Sequence, residues 1–428
     1  MLTSEENELL CRVGPGTPMG NFMREYWFPG LKSDELPEPD CDPIRVKLLG
    51  EELIAFRDTN GNVGLIDNYC PHRRASLFFG RNEECGLRCV YHGWKFDING
   101  DCVEMPSEPA ESNFKDKVKI TAYRCHERNG VVWTYMGSRV VPPPLPELEG
   151  NMHDAYHITV LHRACNWMQG LEGEMDTLHV TFLHLGHLNE GNTEPGTFNH
   201  IQASNREGKF HVRETPHGTS YGMVRSFNEG EDYWRIGHIL FPFYAMVPGI
   251  ENPLGNTASF LAYVPQDDHH TLEWSVRALK PGETPGDQQR VYLPNTTDWH
   301  GRYNIDQNFE NNFLIDREAQ RKNESFTGIK GIRQQDMAMT ESMGSIYDRT
   351  KEHLGTTDQM IIRTRRRFMA AARDLAEDGS PPPGVDTPSV YHQRSGQVAL
   401  PQAVDWWEST KELRETFNVK PPVLEASG

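Results

Sequence analysis

NYCPHRRASLFFGRNEECGLRCVYHGW occupies residues 68–94 and holds two short pairs, Cys70-x-His72 and Cys89-x-x-His92, with sixteen residues between them. Each pair combines one thiolate with one imidazole. Four such ligands could hold a structural zinc ion, but zinc fingers usually place their two Cys together and their two His together. A two-iron cluster needs the mixed order if one iron takes both thiolates and the other both imidazoles. The stretch therefore favours an iron–sulfur cluster over zinc.

Short β-like segments surround these ligands between about residues 44 and 134. Asn-Gly pairs at 60–61 and 99–100 lie between apolar-alternating segments, and Asn-Gly is the strongest short-range signal for a β-hairpin. The Pro-rich run at 142–146 can continue neither a helix nor a central strand. We therefore predict a small all-β domain that ends before this run.

The remainder of the chain alternates between helical and strand patterns. Residues 165–184 have apolar side chains at three- and four-residue steps without proline, which predicts a helix. Residues 196–279 alternate as strands do, and residues 336–377 return to a helical pattern. The Pro-rich tail that begins at residue 379 is predicted to be irregular, and we interpret it as an arm that wraps a neighbouring subunit.

Length and charge limit the classes of function. The 428 residues suffice for two or three domains of about 100–200 residues each. The formal net charge of -18 disfavours a nucleic-acid or anionic-membrane partner. The N-terminus lacks the basic and apolar segments of a secretory signal, and no run approaches the ~20 apolar residues that span a bilayer. We therefore expect a cytoplasmic protein that binds neither nucleic acid nor membrane.

A second group of metal ligands begins about a hundred residues beyond the first. His179 and His184 are five residues apart, close enough for both imidazoles to reach one metal if the helix is locally irregular. With one distant carboxylate they would form a 2-His-1-carboxylate face, which leaves positions on Fe(II) open for O₂. A cluster of the first kind only moves electrons, so this second site would perform the chemistry.

The two motifs together resemble those of the Rieske non-haem iron oxygenases, in the terminal oxygenase α subunit. The first stretch matches the family's Cys-x-His and Cys-x-x-His ligands, and Asp176, His179 and His184 match its Asp-x-x-His-x-x-x-x-His motif. The resemblance covers nearly the whole chain. It is closest to the phthalate 4,5-dioxygenase-like group, which includes aromatic O-demethylases.

The resemblance implies a role for each ligand position. Cys70, His72, Cys89 and His92 would bind the [2Fe–2S] cluster, while His179, His184 and Asp336 would bind the mononuclear iron. Asp336 follows Gln335 as in this family, although Asp316 and Asp348 are alternatives for the carboxylate.

Two acidic residues beside the histidines are predicted to be catalytic. Asp176 would orient His179 by a hydrogen bond and bridge to His92 of a neighbouring subunit. Glu172 stands where dioxygenases of the naphthalene type often carry Asn, so membership of that subgroup is in doubt.

The fold implied by the resemblance is α+β. A small all-β Rieske domain would be followed by a larger catalytic domain whose antiparallel sheet is flanked by helices. The expected boundaries are an N-terminal helical segment on the catalytic domain (1–27), the Rieske domain (28–140), the catalytic domain (150–385) and a C-terminal extension (386–428).

The implied function is oxidation of an aromatic carboxylate with O₂. Dihydroxylation, ring monooxygenation and O-demethylation with release of formaldehyde all remain open. Electrons would come from NAD(P)H through a flavin and iron–sulfur reductase, directly or through a ferredoxin, and the subunits would form a homotrimer or stacked trimers. The alternative is a Rieske electron carrier, or a zinc-stapled binding module, without chemistry of its own.

Two further details concern the potential of the cluster and the substrate. Trp94 and Phe96 occupy positions where respiratory Rieske proteins carry hydroxyl donors, which predicts a potential near the low end of the Rieske range, about −150 mV. A substrate carboxylate would favour an arginine near the iron. Because most charges on strands face solvent, we assign none of the candidates in the strand region to the site. These are Arg206, Arg213, Arg225, Arg235 and His238.

Overall fold

The computed structural model describes residues 1–109, 111–184, 193–194, 197–249, 252–285 and 290–419. Within these residues the strands form three sheets, two in the N-terminal part and one large sheet beyond residue 155. The predicted α+β fold, a small all-β domain followed by a larger domain of antiparallel sheet and helices, is confirmed. No helix in the described part of the chain is long and apolar enough to cross a membrane.

The N-terminal sheets hold the predicted cluster ligands at one end. The Asn-Gly turns at 60–61 and 99–100 join β3 to β4 and β7 to β8, as predicted, and Gly61 and Gly100 adopt positive φ angles of 85° and 79°. In spatial order the larger of these sheets contains β1 (Trp27–Lys32), β10 (Val131–Tyr135), β9 (Ala122–Arg128), β4 (Val63–Asp67), β3 (Glu51–Arg57) and β2 (Ile44–Leu48). The smaller contains β5 (Arg81–Glu83), β6 (Gly86–Arg88), β7 (Lys95–Phe96) and β8 (Cys102–Glu104).

The large antiparallel sheet is the base of the second domain. Its spatial order is β11 (Tyr156–Arg163), β17 (Thr271–Ala278), β16 (Ser259–Pro265), β15 (Tyr244–Met246), β14 (Glu231–Leu240), β13 (Gly218–Ser226) and β12 (Lys209–Thr215). The prediction that strands begin near residue 196 was wrong at its start. A short helix capped by Thr197 precedes β12, because the Thr197 hydroxyl accepts a hydrogen bond from the His200 N–H.

Helices cover this sheet and connect it to the N-terminus. The first two contact the longest helix, α7, and Phe22 and Phe368 meet edge to face with ring centroids 6.1 Å apart. The helices are α1 (Ser4–Cys11), α2 (Pro18–Arg24), α3 (Trp167–Met175), α4 (Phe198–Ser204), α5 (Arg317–Arg321), α6 (Ile332–Ser342), α7 (Gln359–Asp378), α8 (Trp406–Ser409) and α9 (Lys411–Arg414).

The hairpin between β16 and β17 fixes the two domains to each other. The N–H of Leu49 donates to the carbonyl of Pro265 at 2.9 Å, and the N–H of Gly50 donates to the carbonyl of Gln266 at 2.8 Å. Lys47 and Asp267 add an ion pair at 3.0 Å. The hairpin thereby continues the hydrogen bonding of the catalytic sheet into the β2–β3 turn of the all-β domain.

Two predicted helical regions are shorter than expected. The helix predicted for 165–184 ends at Met175, because the Asp176 carboxylate accepts the Leu178 N–H at 2.8 Å and offers the backbone an alternative to helix. In the 336–377 region, α6 stops at Ser342 before Gly344, whose φ of 94° is foreign to a helix, and α7 starts only at Gln359.

The C-terminal extension is more ordered than predicted. Residues Gly396–Pro401 form β18, which pairs antiparallel with the first half of β14. Arg394 ties the extension to the catalytic domain through an ion pair with buried Glu149. The prediction of irregular structure is therefore wrong for β18 and for the two short helices beyond it, whereas contact with a neighbouring subunit stays a prediction. Residues 420–428 lie outside the described residues.

Candidate functional site

Two similar turns present the four predicted cluster ligands. In each turn the cysteine N–H donates to the carbonyl five residues later, and the cysteine carbonyl accepts the N–H four residues later, at 2.8–2.9 Å. The turns begin at Cys70 and Cys89. Gly93 has a φ of 79°, and a Cβ there would lie 2.6 Å from Cγ of Pro106, so the second turn requires glycine.

The cysteines lie inside these turns and the histidines at the surface. Cys70 and Cys89 are 2% and 4% exposed, whereas His72 is exposed and His92 half-exposed, with ring centroids 4.3 Å apart. Burial raises the pKa of the Cys70 thiol to about 11. A Cys70 thiolate at this depth therefore needs a bound cation, which iron would supply. Two buried sulfurs beside two outer imidazoles fit a cluster with one iron on each pair.

The residues that follow His92 give the cluster no hydroxyl donor. The Trp94 Nε1–H donates to Oγ of Ser107 at 3.3 Å, and the indole stacks on His72 with ring centroids 4.6 Å apart. Phe96 is buried and has no polar atom to offer. Neither Trp94 nor Phe96 offers a hydroxyl donor, which supports the prediction of a low reduction potential.

The second predicted ligand group also converges in space. Oδ1 of Asp336, on α6, lies 3.5 Å from Nε2 of His179 and 3.3 Å from Nε2 of His184. The two rings are nearly perpendicular, at 78°, with centroids 5.1 Å apart. A cation about 2.1 Å from each donor would produce separations of this size. The three side chains thus suit a divalent metal held on one face, with the opposite side open to a cavity.

The charges around these ligands favour a cation as well. Burial acts to raise the pKa of Asp336, but the His184 hydrogen bond and the charges of His179, His184 and Arg333 lower it overall. Burial acts to lower the pKa of His184, but Asp336 and Gln335 raise it. The Asp336 carboxylate is therefore ionised, and His179 and His184 are its polar partners.

Asp176 lies beside His179, but at a longer distance than predicted. Its Oδ2 is 3.8 Å from Nδ1 of His179, beyond a direct hydrogen bond. Its Oδ1 accepts the Leu178 N–H, and its side chain is 38% exposed at the surface. No described residue donates a hydrogen bond to Oδ2, so this oxygen can face a partner.

Glu172 is not in the position that its predicted catalytic role requires. Its carboxylate is buried and accepts two hydrogen bonds from Arg349, both at 3.0 Å, and one from Arg365 at 2.7 Å. Burial acts to raise the pKa of Glu172, but the two arginines lower it. Because every contact ties it to α7 and the segment before it, Glu172 stabilises the packing of α3 and does not line the cavity.

A cavity of about 300 Å³ opens over the three metal ligands. Buried Tyr221 and Tyr263 form part of its wall, with Val247 and Pro248. Apolar atoms form most of the exposed lining, but many of the lining residues are polar or charged, among them three arginines and Glu174.

Arg235 is a functional candidate that the sequence did not single out. It is buried in the cavity wall and donates at 2.8 Å to Oγ1 of Thr177, Oε1 of Gln202 and the carbonyl of Pro248. All three partners are neutral, and among the described residues no carboxylate pairs with it. The other two arginines of the cavity, Arg163 and Arg333, each pair with buried or half-buried glutamates. Both faces of β14 are buried here, so strand alternation could not reveal which side Arg235 takes.

Asp267, His270 and His300 form a second group with one carboxylate and two imidazoles. Asp267 accepts hydrogen bonds from both rings, at 2.9 and 3.1 Å, and Lys47 lies 3.0 Å from the same carboxylate. The Lys47 ammonium already supplies the positive charge that a metal would bring. We therefore interpret this group as a link between the domains.

Comparison with known proteins identifies both halves of the chain. Residues 26–124 match the Rieske [2Fe-2S] domain, and residues 134–425 match the family described as LigXa C-terminal domain like. The fold also matches that of NdmA from Pseudomonas putida CBB5, in a variant with caffeine, with a TM-score of 0.57 at 18% identity over 86% of this chain and 96% of the other.

Three characterised relatives align over most of their length. The 3-chlorobenzoate-3,4-dioxygenase oxygenase subunit of Comamonas testosteroni is 44% identical over 97% of this chain and 99% of the relative. The phthalate 4,5-dioxygenase oxygenase subunit of Pseudomonas putida is 41% identical over 87% and 86%. The 5,5'-dehydrodivanillate O-demethylase oxygenase subunit of a Sphingobium strain is 33% identical over 91% and 85%.

Proposed function

The chain belongs to the Rieske non-haem iron oxygenases with a LigXa-like C-terminal domain, and on that premise we propose that it oxidises a single-ring aromatic carboxylic acid. It is the oxygenase component of a multicomponent enzyme, as predicted, and it takes its electrons from a partner protein. The alternatives without chemistry, an electron carrier or a zinc-stapled module, are not supported. The predicted cofactors, a Rieske [2Fe–2S] cluster and a mononuclear iron that uses O₂, are confirmed.

We assign the cofactors to the ligands predicted for them. When bound, the cluster passes electrons singly and the mononuclear iron activates O₂. The first group comprises Cys70, His72, Cys89 and His92; the second comprises His179, His184 and Asp336. The rest of the site binds and orients the substrate: the apolar wall packs against a ring, and Arg235 pairs with an anionic group in the cavity that the metal ligands also line.

Arg235 is the observation that carries the choice of an acid. A guanidinium has five N–H donors, and those of Arg235 meet only neutral groups among the described residues: Thr177, Gln202, the carbonyl of Pro248 and Tyr233. A buried cation without a counterion is unfavourable until an anion enters beside it. A substrate carboxylate supplies that charge and matches the planar guanidinium in shape.

The size of the cavity supports a single aromatic ring. Its volume of about 300 Å³ is at the lower limit of small-molecule sites, which range over about 300–1,000 Å³. The names of the two relatives above 40% identity include a chlorobenzoate and a phthalate, both single-ring acids. We therefore propose ring dihydroxylation, and keep O-demethylation as the outcome for a methoxylated acid.

A substrate panel tests this proposal. We expect the reduced enzyme to convert 3-chlorobenzoate or phthalate to a diol, to release formaldehyde only from methoxylated acids, and to leave the matching neutral amides unchanged. Product analysis by mass spectrometry and a formaldehyde assay distinguishes these outcomes. Equal turnover of an acid and its amide would refute the assignment of an acid-binding site.

The substitution Arg235→Gln should weaken catalysis on the acid selectively. Removing a buried partner of a charged group costs about 2–4 kcal/mol, which corresponds to a fall in kcat/KM of about 30- to 1,000-fold. Arg213→Gln is a matched control, because Arg213 lies on the same sheet but is half exposed and pairs with Asp405. A similar loss in both variants would point to general destabilisation of the sheet.

The mixed ligand set of the cluster gives another expected result. His92→Cys should retain some iron–sulfur cluster but lower its reduction potential, because a thiolate donates more charge than an imidazole. Protein-film voltammetry and the visible spectrum measure both quantities. An unchanged potential and spectrum would remove His92 from the ligands.

We also propose that the subunits associate head to tail into a ring, as a homotrimer or stacked trimers. Exposed apolar side chains occur beside both metal sites, and such patches mark interaction surfaces. Near the cluster these are Phe79, Val90 and Tyr91, and near the mononuclear site they are Phe182, Leu314, Phe326 and Met339. The half-exposed Asp176 lies beside His179 and would face His92 of the neighbouring chain.

A further inference from the structure

Gln335 contacts His184 on the side opposite to the metal site. Its Oε1 lies 2.6 Å from Nδ1 of His184, and its Nε2 donates to Oγ1 of Thr327 at 3.1 Å and to the carbonyl of Ile329 at 2.8 Å. The side chain is fully buried, so water does not compete for these bonds. The amide is therefore held at both ends.

These contacts determine which nitrogen of His184 carries a hydrogen. A backbone carbonyl only accepts, so the end of Gln335 that meets Ile329 must be the NH₂ group. The other end, which meets His184, is then the carbonyl oxygen, and Nδ1 must be the donor. Nε2, which faces Asp336, is then the nitrogen whose hydrogen a bound metal would replace.

The sequence places this amide beside the carboxylate ligand. Gln335 and Asp336 are consecutive in the first turns of α6, and the loop before this helix turns at Gly328 and Gly331, both with positive φ. That loop supplies both acceptors of the Gln335 NH₂ group. One short segment thus presents a ligand and also holds the second ligand in place.

Among the described residues, no side chain supports His179 in the way that Gln335 supports His184. Nδ1 of His179 is 3.8 Å from a half-exposed carboxylate, which is too far for a direct hydrogen bond. We propose that Gln335 is the positioning residue that fixes His184 as an Nε2 ligand and sets the affinity of the mononuclear site for a divalent metal, an inference that rests on the ligands assigned above.

Metal titration tests the role of Gln335. Enzyme with an intact Rieske cluster, freed of its mononuclear iron by a chelator, is titrated with Fe(II) in a calorimeter without oxygen. We expect Gln335→Leu to bind Fe(II) about 10- to 100-fold more weakly, with unchanged Rieske absorption. Gln335→Met, which has a similar length and no strong acceptor, should behave alike and serves if Gln335→Leu does not fold.

Two further variants separate positioning from packing. Gln335→Glu restores an acceptor to Nδ1 and should bind Fe(II) more tightly than Gln335→Leu. Gln334→Leu alters a second buried glutamine of the same helix, which donates to Oε1 of Gln307, and should keep normal Fe(II) affinity. Equal weakening in Gln334→Leu and Gln335→Leu, or none in Gln335→Leu, would overturn the inference.

The substitution His184→Ala distinguishes this failure from failure of the proposed function. If His184→Ala loses Fe(II) while Gln335→Leu keeps it, only the positioning role of Gln335 is refuted. If His184→Ala also keeps normal Fe(II) affinity, the ligand assignment itself is wrong.

Discussion

Asp336→Ala should abolish oxygenation and leave the Rieske absorption intact. The Asp336 carboxylate is the common neighbour of both imidazoles, and it brings the only negative charge of the proposed ligand set. Without it the cation would face two neutral donors and would be lost. Iron analysis should fall from about three to about two atoms per chain, while the cluster remains reducible.

Two other aspartates provide matched controls, because both were alternatives for the ligand. Asp316 accepts the N–H groups of Glu318 and Ala319 at the start of α5, and Asp348 accepts that of Thr350. Their loss should cost about 1 kcal/mol of helix or turn stability and no iron. Full iron content and turnover in Asp336→Ala would contradict the ligand assignment, and His179→Ala and His184→Ala should match Asp336→Ala.

The choice among these aspartates shows where sequence reasoning ends. Both pairs of cluster ligands are local, each within one turn, so their order in the sequence was enough to favour an iron–sulfur cluster. Asp336 is more than 150 residues from His184, and only the packing of α6 against α3 brings the two together. Asp316 and Asp348 carry the same side chain as Asp336. Only their hydrogen bonds to backbone N–H groups show that they cap a helix and a turn.

Glu172 illustrates the same limit for a residue that is near the motif in sequence. Its match to the position where naphthalene-type dioxygenases often carry Asn led to the prediction of a catalytic role. In the structure α3 ends at Met175, and the partners of Glu172, Arg349 and Arg365, come from a segment far along the chain. A buried carboxylate next to a motif can therefore be structural, and sequence spacing does not distinguish the two cases.

Asp176→Asn should leave both metal sites filled and the cluster reducible, yet slow the substrate-dependent oxidation of that cluster by about 100-fold. The amide keeps an oxygen for the Leu178 N–H, so the local turn survives. What it loses is the negative charge between His179 and, in the proposed ring, His92 of the next chain. Stopped-flow absorbance of the cluster, with and without substrate and O₂, measures this step. Normal oxidation of the cluster in Asp176→Asn would exclude a coupling role for the carboxylate.

Mixed trimers determine whether electrons pass between chains. A chain with His179→Ala keeps its cluster but lacks a working mononuclear site, and a chain with Cys70→Ala has the reverse defect. Each variant alone should be inactive. Mixed in one ring, an intact cluster of one chain faces an intact mononuclear site of the next wherever the two kinds of chain meet in the right order, so part of the activity should return. The exposure of His72, His92 and Asp176 in the single chain is what such an interface requires, since buried groups could not meet across it. Metal-replete mixed trimers without any activity would show that electrons do not take this route.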